Sequence, residues 1–403
     1  MRLIMNCIGC GSKNIDALGT LGKLPNCNRF ELSQQEALDL PKYELDLVKC
    51  STCNLVQVGT HLPVIEVFSD NYPYFSSYSK SWLDHCKLAA KSYKEMFNIG
   101  MDSSILEIGS NDGYFLKYFN ECSVVLGVEP TKGPAEVAIK DGVKTKIDFF
   151  NDDVAVEIIK DEGQFDLILS NNMLAHTPDL MSVLSGVRRA LNDAGKFIVE
   201  VQYAADMFLG GKFDTVYHEH FCYYTINSAI SVFEKNGLYI SDAEHLITHG
   251  GSIRLYASKQ KIAQTDRLKN LIEKEFEQFS IGNVYTEFFI KAEASKNNFL
   301  KYINDNGPIV CYGAPTKGNV FLNYCGVTYK DIKFTSDMSP LKHNRYCPGS
   351  GIPIYSVDKI IYDKYSDILI LPWNIKTEII KQFNEYKIGT KKFITTIPEL
   401  LVV

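Results

Sequence analysis

The chain has 403 residues, 45% hydrophobic and 22% charged, and its length predicts two or three domains rather than one core. Its net charge of −6 argues against a nucleic-acid or anionic-membrane surface. An anionic ligand would therefore need a local cluster of donors.

The N-terminus, MRLIMNCIGCGSKN, shows no basic leader and no cleavage signature, and no apolar run is long enough to span a bilayer. Eleven cysteines, an odd number and mostly scattered, speak against a disulfide scaffold and for a cytoplasmic setting. Cys7 with Cys10, and Cys50 with Cys53, form two CxxC pairs. Each CxxC turn points two thiolates at one spot, and two such knuckles complete a tetrahedral site that suits zinc and leaves no open position for catalysis. Residues 1–62 are thus expected to form a zinc-binding module, too small for a core of its own and held by a metal lying away from the chemistry.

Residues 63–260 open with a linker and a helical stretch, SWLDHCKLAAKSYKEMF, with Trp82, Leu83, Cys86, Ala90, Tyr93 and Phe97 near helical spacing. The strands SILEIG, VVLGVE, FDLILSN and GKFIVEV then alternate with helical stretches, which predicts an open, mostly parallel α/β sheet. The first strand runs into a glycine-punctuated turn containing Glu107, Gly109, Asn111 and Asp112, and the second ends at Glu129, placed to accept from two ribose hydroxyls. A dinucleotide would ask for GxGxxG; these acids instead suit a ligand with an amino-acid end and no phosphate, which S-adenosylmethionine satisfies. Asn171, Asn172 and His176, at the end of the FDLILSN strand, are expected to close over that cofactor.

The segment KFDTVYHEHFCYYT crowds Tyr217, His218, Glu219 and His220 together. On spacing alone, either His218 and His220 share one face of an extended strand as metal ligands, or one of them is a general base. No second cluster of histidines and carboxylates stands out.

Residues 261–304 read as a helical connector, and 305–403 as a smaller Rossmann-like α/β domain with strands in PIVCY, IKFTSD, GIPIYS and SDILILP. Its first loop, with Gly313, Thr316, Lys317 and Asn319, offers backbone donors at a helix start and one lysine to a pyrophosphate. Asp337 stands where an acid would meet a ribose.

Seven blocks, CIGC with KCSTCNLVQ, DNYPYFSSYS, LEIGSNDG, YHEHFCYY, GGSIRLY, YGAPTKGN and LPWN, occur in an order that resembles the sugar C-methyltransferases of deoxysugar pathways. These methylate C3 of a nucleotide-linked 4-keto sugar. The resemblance implies an N-terminal zinc module, a central class I methyltransferase domain that binds S-adenosylmethionine, and a C-terminal domain that helps hold the nucleotide. It makes His220 the base and lets Tyr217, Glu219 and one of Tyr72 or Tyr74 line the sugar site. Asn111 stands where methyltransferases commonly have glycine, in agreement with this subfamily. The expected chemistry is proton removal next to the ketone by His220, with Tyr217 donating to the enolate oxygen. A histidine base implies an acid limb near pH 6.5. The carrier is dTDP, GDP or CDP, and the protein a monomer or weak homo-oligomer. An O- or N-methyltransferase and a non-catalytic nucleotide-sugar binder are the alternatives.

Overall fold

The computed structural model describes residues 2–3, 6–67, 75–362, 367–385 and 392–403. Tyr72 and Tyr74 lie outside the described residues.

The N-terminal module is a four-stranded antiparallel sheet in the order Cys222–Tyr223, Val56–Val58, Tyr43–Cys50, Ile15–Leu24. Tyr43–Cys50 buries Leu45 and Leu47 on one face and ends at buried Cys50, on the opposite parity, in the sulfur cluster. The outermost strand is not the module's own: Cys222 pairs with Gln57 and Tyr223 with Val56, from the middle of the chain.

The central sheet has seven strands in the order Tyr239–Leu246, Ser252–Ser258, Leu191–Gln202, Phe165–Asn171, Ser104–Ile108, Val124–Val128, Thr145–Lys146. The last five are parallel, and the first two form an antiparallel hairpin on one edge. Ser104–Ile108 is buried at every position, as a strand covered on both faces by helices must be. It sits where the strand order reverses, the place at which open α/β sheets bind ligands beyond the strand ends. The helix Lys80–Phe97 starts at Ser79, whose side chain accepts from the Trp82 amide, and stops at Asn98 in the left-handed region.

The helices Asp266–Ser280 and Val284–Asn306 lead to a six-stranded sheet in the order Ile354–Tyr355, Ile332–Ser336, Ile309–Tyr312, Asp367–Ile370, Lys392–Thr395, Leu401–Val402. Its first five strands are parallel. GIPIYS yields only the two-residue strand Ile354–Tyr355. The fold is thus α/β, an antiparallel N-terminal module followed by two Rossmann-like sheets.

One apolar cluster runs through all three parts. It joins Leu45 and Val58 of the first sheet to Phe208 and Phe213 of the central region and to Phe321 and Trp373 of the C-terminal domain. Among the described residues no helix is long and apolar enough to cross a membrane.

Candidate active site

The four sulfurs of Cys7, Cys10, Cys50 and Cys53 lie within 4.8 Å of one another, with Cys7 to Cys53 at 3.5 Å and Cys10 to Cys50 at 3.7 Å. A tetrahedral zinc with bonds of about 2.3 Å would set its sulfurs roughly 3.8 Å apart, so the quartet fits that ion. Amides of Gly9 and Thr52 point at the Cys7 and Cys50 sulfurs, each at 3.4 Å, as they do in thiolate knuckles. This is the only such group among the described residues. It packs with Leu55, Val232 and Phe233.

In the glycine turn, Gly109 has φ +72°, and a Cβ there would stand 2.6 Å from Met173 Cγ, so only glycine serves. Glu129 follows its strand as expected, but its carboxylate already braces the turn: it accepts from the Asn111 amide at 2.9 Å and from the Thr131 amide at 2.8 Å. Glu107 is fully buried and accepts from Asn171 Nδ2 at 3.3 Å. Burial pushes Glu107 well above the usual carboxyl range, with Asp112 and Glu129 adding to the rise, and burial raises Glu129 too. Three crowded buried acids suit a ligand with a sulfonium, an ammonium and ribose hydroxyls. Asn111 and Asp112 spend their side chains differently from expectation. Asn111 Oδ1 accepts from the Ser76 amide at 2.8 Å and Asp112 Oδ2 from the Ser77 amide at 3.3 Å, tying down the chain entering the helix Lys80–Phe97. Asn172, at φ +52°, donates its amide to the Glu200 carbonyl at 2.7 Å. The His176 ring meets that of His220 edge-on at 4.6 Å.

Residues 213–221 are not an extended strand. A 3-10 turn spans Phe213–Thr215, the His220 amide closes on the Tyr217 carbonyl at 2.9 Å, and the strand begins only at Cys222. This turn separates the two histidines, so the shared metal face does not form. His218 Nε2 meets the Glu44 carbonyl at 3.2 Å, in the N-terminal module. His220 Nδ1 meets the Thr215 carbonyl at 3.0 Å and its Nε2 the Tyr217 hydroxyl at 2.6 Å. A carbonyl can only accept, so Nδ1 carries the proton and Tyr217 donates to Nε2. Burial, then His176, hold His220 well below 6.5, and burial takes His176 to about 4. With the ring so shifted, a histidine base would place its acid limb below 6.5. Glu219 is almost fully buried, raised to about 8 by desolvation, and its Oε1 has no partner.

The C-terminal loop comes to the same place. Gly313, at φ +83°, backs onto Pro372, and Thr316 opens the helix Thr316–Cys325. Lys317 Nζ sits 5.1 Å from the Trp373 ring centroid and 3.4 Å from Asn374 Oδ1, and burial lowers its pKa. Trp373 Nε1 donates to Asp214 Oδ2 at 2.6 Å; burial raises Asp214 to about 6 while Lys317 pulls it down. Asn319 donates to the Cys27 carbonyl at 2.8 Å and so faces the N-terminal module. Burial alone would raise Asp337, but Lys342 and the amides of Ser339 and Ala314 hold it below the usual range.

Several residues escaped the sequence reading. A second cluster does exist: Glu200 takes His85 Nε2 at 2.8 Å and Arg254 Nη2 at 3.0 Å on one oxygen, and the Thr248 hydroxyl at 3.0 Å on the other. The available signal was one acid inside the apolar run GKFIVEV. His249, at φ +53°, packs its ring 4.9 Å from Trp82, and the neighbouring Gly250 abuts Trp373. Lys212 donates to the Gly250 carbonyl at 2.5 Å.

A glycine turn at a sheet's switch point, a pocket of acids and an acid closing the second strand define a class I methyltransferase that uses S-adenosylmethionine. Three families match in chain order: a zinc binding domain over 7–68, a methyltransferase domain over 81–242 and a C-methyltransferase C-terminal domain over 247–398. The chain is 30% identical to the C-methyltransferase NovU of Streptomyces niveus, in an alignment covering 100% of this chain and 98% of NovU. It belongs to that family of C-methyltransferases. Solved structures are far more distant. Magnesium protoporphyrin IX methyltransferase of Synechocystis matches at 10% identity and TM-score 0.34 over 44% of this chain and 79% of its own. A methyltransferase of Clostridium acetobutylicum matches at 12% and 0.35 over 44% and 92%. Neither bears on the argument.

Proposed function

We propose that the methyl group goes to a carbon beside the ketone of a nucleotide-linked 4-keto sugar, at C3. The observation that carries this is the chain Thr215 carbonyl, His220, Tyr217 hydroxyl, buried beside a carboxyl group raised to about 8. A carbon next to a ketone becomes nucleophilic only on losing a proton, and a neutral imidazole with its lone pair on a phenol can take that proton through the phenol. An alcohol or amine acceptor would not need a donor for an enolate; the unpartnered Glu219 Oε1, protonated near neutrality, suits that oxygen.

S-adenosylmethionine, when bound, supplies the electrophilic methyl. Glu107, Gly109, Glu129, Asn171 and Asn172 are the residues to hold it, and Asn111 and Asp112 shape its turn. His176 fixes the far face of His220. Lys317, over Trp373, is the cation for the sugar's diphosphate, with Gly313, Thr316 and Asp337 shaping the same loop. A cytoplasmic setting, a dTDP, GDP or CDP carrier and a monomer or weak homo-oligomer complete the reading.

The test is product analysis. With methyl-labelled cofactor and a panel of nucleotide-linked 4-keto sugars, the label is expected in a C–CH3 group. With a non-reactive cofactor analogue, the C3 hydrogen is expected to exchange with solvent deuterium. Label recovered only as an ether or an N-methyl group, or no exchange, overturns the proposal.

A further inference from the structure

The turn Phe213–Thr215 stands just ahead of Tyr217 and is gripped from the C-terminal domain. Trp373 Nε1 donates to Asp214 Oδ2 at 2.6 Å, and both side chains are buried. Beside it, the Phe213 ring packs 4.8 Å from that of Tyr324, on the helix Thr316–Cys325. The residue after Asp214, Thr215, presents the carbonyl that meets His220 Nδ1 at 3.0 Å. The turn's own bond from the Thr215 amide to the Lys212 carbonyl is long, at 3.3 Å. The indole itself has little freedom. A Cβ on Gly250 would stand 2.6 Å from Trp373 Cη2, and Lys317 Nζ lies 5.1 Å from the ring centroid. Without the indole N–H, the buried Asp214 carboxylate would have to turn toward another donor, and the turn would follow it.

We infer that Trp373 and Asp214 are positioning residues for His220: their hydrogen bond fixes the turn Phe213–Thr215 so that the Thr215 carbonyl faces Nδ1, which keeps the imidazole lone pair on Nε2, toward Tyr217. A neutral imidazole carries one N–H and one lone pair, and the partner of each nitrogen decides which is which. If the Thr215 carbonyl swings away, the Nδ1 proton loses its acceptor. The other tautomer then becomes accessible, with its lone pair on Nδ1 and turned from the Tyr217 hydroxyl. The C-terminal domain in this way serves the centre around His220 as well as the loop that carries Lys317. The part His220 plays in turnover rests on the keto-sugar reading above; its tautomer does not.

Three variants of the full chain separate the hydrogen bond from the packing. Trp373→Phe removes the donor and keeps an aromatic ring beside Lys317. Asp214→Leu removes the acceptor and keeps the indole, whereas Asp214→Asn retains an oxygen that can accept. In protein labelled with 15N-histidine, the His220 signals are identified by their loss in His220→Asn. The wild type should show a protonated Nδ1 and an unprotonated Nε2. In Trp373→Phe and in Asp214→Leu the two signals should move toward each other as the second tautomer fills; in Asp214→Asn they should stay. With substrate, the first two variants should lower kcat about tenfold, the effect of one hydrogen bond to a buried charged group, with KM for the nucleotide-sugar and cofactor affinity little changed. Combined, they should cost no more than either alone. Tautomer signals that hold still in both Trp373→Phe and Asp214→Leu overturn the reading, whatever happens to Tm, and so does an Asp214→Asn variant that behaves like Asp214→Leu. If a variant does not fold, the wild type still decides. The chain has two tryptophans, so Trp82→Phe assigns the Trp373 indole N–H. That proton should exchange slowly with solvent deuterium, and fast exchange would remove the contact. Moved tautomer signals in a protein that methylates no keto-sugar would keep Trp373 and Asp214 and withdraw the substrate assignment.

Discussion

Tyr217 donates its hydroxyl to Nε2 of His220 at 2.6 Å, so the imidazole lone pair looks at a phenol and not directly at the space a substrate would fill. On the proposed reaction, a proton leaving the acceptor would pass through Tyr217 to reach His220. Tyr217→Phe should therefore cost at least as much in solvent exchange and methylation as His220→Asn, each on the order of 10²–10⁴-fold. Burial and His176 hold His220 well below 6.5, and on the proposed reaction the neutral ring is the active one. Activity should thus persist as pH falls past 6.5 and be lost only where His220 finally charges. A pH–rate profile with its acid limb at 6.5 or above would contradict the buried arrangement.

Glu219 makes the folded state sensitive to alkali. Its folded pKa of about 8 lies above its unfolded value near 4.5, so the native protein holds a proton that the unfolded chain has released. Stability contributed this way is whole below the unfolded pKa and falls as pH rises through about 8. Glu219→Gln should raise Tm at pH 8.5, leave it nearly unchanged at pH 4.5, and impair turnover. Melting curves at the two pH values decide it.

Glu129 braces its own turn, apart from the ribose contact proposed for it. Glu129→Ala should weaken S-adenosylmethionine binding by roughly 1.5–3 kcal/mol, the scale of hydrogen bonds to a charged group. Because the Asn111 and Thr131 amides also lose their acceptor, the turn should exchange its amide hydrogens faster even without ligand. Calorimetry and hydrogen exchange together separate the two effects.

Lys317 shares its surroundings with Asp214 and Trp373. Lys317→Ala should raise KM for the nucleotide-sugar and leave cofactor affinity intact, as loss of a ground-state phosphate contact does. It should also raise the pKa of Asp214, which loses its main stabilising charge. Unaltered nucleotide binding in a titration would show that the loop only packs.

About one zinc per chain is expected from the sulfur quartet, and Cys50→Ser should release it. The strand Val56–Val58 follows the second knuckle and pairs with Cys222–Tyr223, just past His220. Metal loss should then lower Tm and also loosen the Tyr217–His220 turn. Zinc analysis with hydrogen exchange at residues 217–223 measures both.

Most of the parallel strands were legible because each has a short apolar centre, whereas Thr145–Lys146 and Lys392–Thr395 were not; the cysteine pairs and glycine turn were legible because their spacing is local. The side-chain partnerships were not. Trp373 and Asp214 stand 159 positions apart, and Glu200 and His85 stand 115 apart. Nothing in a periodic pattern says which distant donor will neutralise a buried acid. The segment around YHEH misled for a related reason. Its aromatic composition suits a strand, but the hydrogen bonds at Thr215 and Tyr217 turn it, and only Cys222 and Tyr223 remain extended.

That borrowed edge strand also sets a schedule for biosynthesis. The first sheet is missing its last strand until the ribosome has added roughly 160 further residues, a wait of about 10–30 s at ordinary elongation rates. Through that interval the edge at Val56–Val58 is open to any other extended chain, including another nascent copy. Bound metal would be what keeps the newborn module folded meanwhile, so zinc scarcity during synthesis would harm this protein more than zinc withdrawal afterwards.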